Sequence, residues 1–190
     1  PRGAGHRGPG PGTERVTRPP SARGARAALL RAWPAMLLTV AACAPWLASP
    51  MFLDDWHLLW RASEAPWTWA GLRDAFTFLD PTSISTWNLS PQPAYHYFRP
   101  LVIASFKLDL TLWGLSPIGF HGVNLLLHLV TVVLVGQLAA RLSGDDRMAR
   151  IAAILFALQP HNVAAVCWTA GRTTSMGAMW MIAALLCYVV

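Results

Sequence analysis

Two adjacent carboxylates, Asp54 and Asp55, stand in the stretch Met51-Phe52-Leu53-Asp54-Asp55-Trp56-His57, between an apolar run and a Trp-rich segment. Apolar neighbours raise the pKa of a carboxylate, and a pair of such groups suits general-base or metal chemistry. The same two residues would equally serve to cap a short helix beginning near Trp56. Further along, His121, Asn124 and His128 are spaced i, i+3 and i+7, which sets them on one helical stripe. Two imidazoles on a stripe could ligate a divalent metal, although hydrogen bonding between helices is the commoner use of such residues, and no cofactor is otherwise called for. Arg99 and Arg172 are cations in apolar or aromatic surroundings. That chemistry could hold a phosphate or pyrophosphate, against the ordinary alternative of snorkelling toward lipid headgroups. No phosphate-binding glycine loop, hydrolase elbow or nucleotide fingerprint occurs, which disfavours a cytosolic nucleotide as direct substrate.

The elements that must position these residues are membrane helices. The chain of 190 residues is 54% hydrophobic and 13% charged, with a mean hydropathy of +0.39, a balance that a soluble domain of this size could not solvate. The net charge of +6 is concentrated in a leader, since seven of the fifteen basic residues precede residue 32. It therefore reads as membrane topology and not as a nucleic-acid footprint. Cys43, Cys167 and Cys187 all lie in apolar stretches without zinc or redox spacing, so buried unpaired thiols are expected. The chain begins at Pro1 and stops at Val190 within an apolar run, as the N-terminal fragment of a longer protein would.

Residues 1–28, rich in Gly, Pro and Arg, are expected to form a disordered basic tail on the cytoplasmic side. A first span is expected over 29–47. Its end, Val40-Ala41-Ala42-Cys43, imitates a lipoprotein cleavage site, but the further spans downstream argue against a cleaved leader. Residues 49–98 read as a polar loop outside the membrane containing short interfacial helices, and 98–113 as a helix at the membrane surface, where Ser105, Lys107, Asp109 and Thr111 alternate with apolar neighbours. Further spans are expected at 119–142, 146–160 and 176–190, with a basic turn from Arg141 to Arg150. Arginine in both the tail and this turn orients the N-terminus toward the cytoplasm and the Asp54 loop away from it. The fold class is an all-α polytopic transmembrane bundle.

Several segments, Leu53-Asp54-Asp55-Trp56, Tyr97-Phe98-Arg99-Pro100-Leu101, Leu112-Trp113-Gly114 through His121-Gly122-Val123-Asn124 to His128, and Phe156-Ala157-Leu158-Gln159-Pro160 leading to Trp168-Thr169-Ala170-Gly171-Arg172, resemble in order and spacing the transmembrane and tetratricopeptide-repeat O-mannosyltransferases and their bacterial relatives, within the GT-C class. The resemblance covers roughly residues 29–190. It implies an enzyme that moves a mannose-like sugar from a polyprenyl-phosphate donor to a hydroxyl of a protein or glycan acceptor on the extracytoplasmic face. Asp54 and Asp55 would then be the catalytic pair, Arg99 and Arg172 would face the lipid phosphate, and His121 and Asn124 would support them. Where the family shows His-Pro followed by an acidic residue, this chain reads Gln159-Pro160-His161-Asn162-Val163-Ala164. Either His161 substitutes for the absent groups or the site is altered, which leaves room for a non-catalytic member. A polytopic transporter or flippase and a non-catalytic membrane scaffold are the rival readings; the partners expected besides donor and acceptor are membrane lipids, with no nucleic acid.

Overall fold

The computed structural model describes residues 22–52, 54–74, 77–79, 94–96 and 99–189. Helix α1 runs Ala22–Cys43 and continues into a 3₁₀ turn, Ala44–Trp46. It begins inside the stretch expected to be disordered, because Ala22, Ala25, Ala27 and Ala28 alternate with arginines and all are strong helix formers. Residues 1–21 of that tail lie outside the described residues. Helices α2 (Asp54–Glu64) and α3 (Trp69–Asp74) follow, then a two-stranded antiparallel ribbon in which β1 (Thr77–Leu79) pairs with β2 (Ala94–His96), Thr77 opposite His96. The remainder is helical: α4 (Pro100–Trp113), α5 (Pro117–Ser143), α6 (Asp146–Leu158), α7 (Pro160–Cys167), a 3₁₀ turn at Thr169–Gly171, and α8 (Arg172–Tyr188). The bundle is thus all-α, and the ribbon is an addition within the loop.

Among the described residues two helices are long and apolar enough to cross a membrane, Arg26–Trp46 with 21 residues and Pro117–Ser143 with 27. A third crossing requires α6 and α7 together, which meet at a bend of 53°. The sequence places one span over 146–160; the helix instead stops at Leu158, because Pro160 has no N–H to donate and its ring opposes a continuing helix. At 17 residues, α8 covers about 26 Å, short of a ~30 Å hydrocarbon core.

Packing is inverted relative to a soluble bundle. On α1 the residues turned inward are Ala28, Ala32, Ala35, Thr39 and Cys43, whereas Leu29, Leu30, Trp33, Leu37 and Leu38 face out. Helix α6 repeats the arrangement, with Ala149, Ala153 and Ala157 buried and Ile151 and Leu155 exposed. Lipid solvates large side chains as well as a core does, so helices associate through small residues that let backbones approach. At the end of the seam, Arg31 reaches Asp146 at 2.7 Å, tying α1 to the turn between α5 and α6. Gly144 closes α5 at φ +69°, and Asp145 caps α6 by accepting from Arg147 N–H at 2.7 Å.

The loop carries its own apolar core, in which Met51, Leu59, Ala62 and Ala65 pack against Val102, Ile103 and Phe106 of α4 and Phe120 of α5. This docking resolves the alternating polarity of α4. Ser105 and Asp109, one turn apart, face α8, while Lys107 turns toward α2 and donates to the carbonyl of Ala62 at 2.9 Å, a cation at a helix C-terminus. Its ammonium also lies 5.1 Å from the Trp67 ring centroid.

The α5–α6 seam supplies a test. A Cβ at Gly136 would sit 3.5 Å from Ala153 Cβ, an ordinary contact. Gly136→Ala is expected to keep the melting temperature of the detergent-solubilised protein, whereas Gly136→Leu should cost about 1–3 kcal/mol through overpacking; equal melting of both variants would refute close packing there.

Candidate functional site

The site is assembled where the ends of several helices meet, and its foundation is a polar stripe on α5. Breaking the α6–α7 helix at Gln159 leaves the carbonyls of Phe156 and Ala157 without their usual i+4 donors. Asn162 Nδ2 donates to Phe156 at 2.9 Å, and Gln159 caps α7 by accepting from Asn162 N–H at 3.0 Å. His128 Nε2 lies 3.3 Å from the carbonyl of Ala157; a carbonyl only accepts, so this nitrogen carries the proton. One stripe position earlier, Asn124 Nδ2 donates to the carbonyls of Trp168 at 2.9 Å and Thr169 at 3.3 Å, holding the 3₁₀ turn onto α5. Asn124 and His128 thus anchor irregular backbone.

Arg172 follows that turn and is fully buried, at 0% exposure. Its Nε donates to Asn124 Oδ1 at 2.8 Å, one terminal nitrogen donates to the carbonyl of Phe120 at 3.0 Å, and the other reaches Ser105 Oγ at 3.3 Å and Asp109 at 2.5 Å. The guanidinium carbon lies 4.5 Å from the Phe106 ring centroid. With its donors committed inward, Arg172 sits behind the site and does not line it. The residue expected from the sequence to face a ligand phosphate thus lies beneath the cavity, buried among protein partners.

The acidic pair divides. Asp55 is 0% exposed, and both of its oxygens accept backbone N–H groups, Phe52 at 3.1 Å and Ala170 at 2.7 Å. The second bond joins the start of α2 to the 3₁₀ turn, an attachment reinforced by stacking of Phe52 on Trp168 at 6.4 Å between centroids. Burial pushes the Asp55 carboxyl above the usual carboxylate range; the Phe52 and Ala170 N–H groups and nearby His121 oppose the rise, and Asp54 adds to it. His121 is 1% exposed, and neither ring nitrogen has a hydrogen-bond partner among the described residues.

Asp54, by contrast, is exposed and lines an open cavity of about 270 Å³ together with His57, Arg99, Trp168, Thr173 and Thr174. The cavity therefore brings Asp54 and Arg99 together, and leaves Asp55, His121, Asn124 and Arg172 in the layer beneath. His161 is exposed at the start of α7 and is absent from the lining. Sequence reasoning passed over His57, Thr173 and Thr174; the first could have been found from its i+3 spacing to Asp54, which places both on one helix face. No group of three or more His, Cys, Asp or Glu among the described residues could hold a metal ion. Gly171, at the cavity edge, approaches α7 so closely that a Cβ there would strike the backbone of Ala165.

Fold and site define a helical membrane protein whose loop presents one carboxylate to an open cleft while its neighbour is sealed beneath. In sequence the chain resembles the protein O-mannosyl-transferases: it is 30% identical over 126 residues to TMTC2 of Mus musculus, covering 66% of this chain and 14% of that protein. TMTC1 of Homo sapiens is 33% identical over 102 residues (53% and 12%), and Tmtc1 of Drosophila melanogaster is 38% identical over 92 (48% and 11%). The match thus spans between a tenth and a seventh of each of these relatives' length. No family model and no solved structure matches the chain.

Two outcomes test the layer beneath the cavity. Arg172→Met strands Asp109 as an unpaired buried charge and should cost about 3–5 kcal/mol, with much of the loss recovered in the Arg172→Met, Asp109→Leu double variant; a double variant no more stable than the single would refute the pairing. For Asp55, the folded-state pKa lies above the unfolded one. Its contribution is complete below the ordinary carboxylate range and is lost as pH rises through the raised value. The melting-temperature gap between wild type and Asp55→Asn should be widest in acid and narrow toward neutrality; widening with pH would overturn this.

Proposed function

We propose that the chain forms part of a glycosyltransferase that moves a mannose-like sugar from a polyprenyl-phosphate donor to an acceptor hydroxyl on the extracytoplasmic face. The observation that carries this reading is the placement of exposed Asp54 beside Arg99 in one cleft, within a sequence similar to named O-mannosyl-transferases. Asp54 takes the proton from the acceptor hydroxyl as its oxygen attacks the anomeric carbon with inversion, and the lipid phosphate leaves toward Arg99. Asp55 acts as a positioning residue: an amide in its place would set an N–H donor against one of the two backbone N–H groups it now receives. His57, Thr173 and Thr174 line the remaining polar wall and are suited to sugar hydroxyls. The orientation follows from arginine in the N-terminal segment and in the Arg141–Arg150 turn, which places both on the cytoplasmic side. Acceptor identity and completion of the site fall to the rest of the full-length protein, so the 190 residues alone should show no transfer.

The reading is tested on the full-length protein, reconstituted with polyprenyl-phosphate mannose and assayed for transfer. Asp54→Asn should lower kcat about 10²- to 10⁴-fold, the range for a lost general base, with its melting temperature unchanged. Arg99→Ala should raise KM for the donor. Undiminished turnover in Asp54→Asn would sink the assignment and favour a transporter or scaffold.

A further inference from the structure

Cys43 is the last residue of α1 and Cys167 the last of α7. The two helices end together, and both cysteines belong to one apolar cluster with Leu125, Leu129 and Val166. Cys43 is fully buried and Cys167 is half-buried, and both pack in this cluster where α1 and α7 meet. The third cysteine, Cys187, is remote. Arg141 near the end of α5 donates to the carbonyl of Leu186, so Cys187 lies by the C-terminal end of α5, whereas Cys43 packs with Leu125 toward its start. Neither Cys43 nor Cys167 itself lines the cavity.

We propose that Cys43 and Cys167 are a redox pair that closes to a disulfide, clamping the end of α1 to the segment that presents Ala170 to Asp55. The residue after Cys167 is Trp168, whose carbonyl Asn124 holds and whose ring stacks on Phe52, so the clamp sits at the root of the cleft. The expected compartment rests on the outward orientation proposed above; the pairing itself does not. Closure needs an oxidant of the disulfide class, glutathione disulfide or an oxidised dithiol protein. Cys167, the less buried of the two, attacks as thiolate and breaks the incoming S–S bond, and the departing thiolate takes up the proton that Cys167 lost. Cys43 then attacks the mixed disulfide at the Cys167 sulfur, releasing the second thiol, which takes up the proton from Cys43. Two cysteines are oxidised and one external disulfide is reduced to two thiols. Cross-links of this kind belong to oxidising compartments, where the outer ends of these helices would stand.

Intact-mass spectrometry of the detergent-purified chain after treatment with glutathione disulfide tests the pairing. The expected result is loss of two hydrogens and a peptide cross-link joining Cys43 to Cys167, both reversed by dithiothreitol and both absent from Cys43→Ser. No hydrogen loss, or a cross-link involving Cys187, would overturn the proposal. A second arm traps free thiols with N-ethylmaleimide in freshly lysed membranes. A bridge that glutathione disulfide forms but that trapped membranes lack supports the pairing and counts against the outward orientation, so the two readings fail separately.

Discussion

A guanidinium held away from water at the junction of three helices governs how this end of the bundle is built. A buried charge is tolerated only when its partners are complete, because the desolvation cost of an ion is several kcal/mol before any attraction is counted. For Arg172 those partners come from α4 (Asp109 and Ser105) and from α5 (Asn124 and the Phe120 carbonyl), with the Phe106 ring against its face. Moving any of these helices by one residue would leave an unpaired ion or donor. The register of α4, α5 and α8 is therefore set jointly, and the turn Thr169–Gly171 just before Arg172 is delivered to a fixed place. There Ala170 meets Asp55. Arg172 thus shapes the cleft without lining it.

The second constraint is the interrupted α6–α7 helix. In lipid an unpaired carbonyl has no water to turn to, so a helix break survives only where side chains replace the lost donors. Asn162 and His128 do this for Phe156 and Ala157, and Gln159 satisfies the new N-terminus. Gln159 and Asn162 are therefore explained by the break itself, whatever chemistry the cleft performs. The polar stripe on α5 likewise serves irregular backbone, since Asn124 donates to carbonyls of the 3₁₀ turn and His128 to that of Ala157.

What the sequence reveals follows from how local each determinant is. Helix α5 is legible because its apolar run is bounded by Pro117 and by Gly144-Asp145, signals that lie within the element. Helix α4 is legible as a helix over 98–113 but its packing is not, because the partners that make Ser105, Lys107 and Asp109 compatible with burial are Arg172 and the Ala62 carbonyl, far away in sequence. The same remoteness conceals the fate of Arg172, whose type suits either a ligand phosphate or a buried ion pair. It also conceals the difference between Asp54 and Asp55, since the N–H that claims Asp55 belongs to Ala170. The ribbon of β1 and β2 escapes notice because three-residue strands are too short for an alternating pattern to register.

Separation of the two aspartates is a consequence of helix geometry once one of them is pinned. Consecutive residues of an α-helix point about 100° apart around its axis. With Asp55 drawn inward by the 3₁₀ turn, Asp54 must project to one side of that direction, and the residues one turn on, His57 and Leu58, project with it; all three line the cleft. Trp56, on the other side of Asp55, is turned to the exterior. The bond from Ala170 to Asp55 therefore fixes the rotation of α2 about its own axis, and that rotation, not any contact made by Asp54 itself, is what leaves the Asp54 carboxylate in the cleft beside Arg99. A general base needs such an arrangement, because its own oxygens must stay unoccupied for the proton they receive while its position is held by groups that take no part in the transfer.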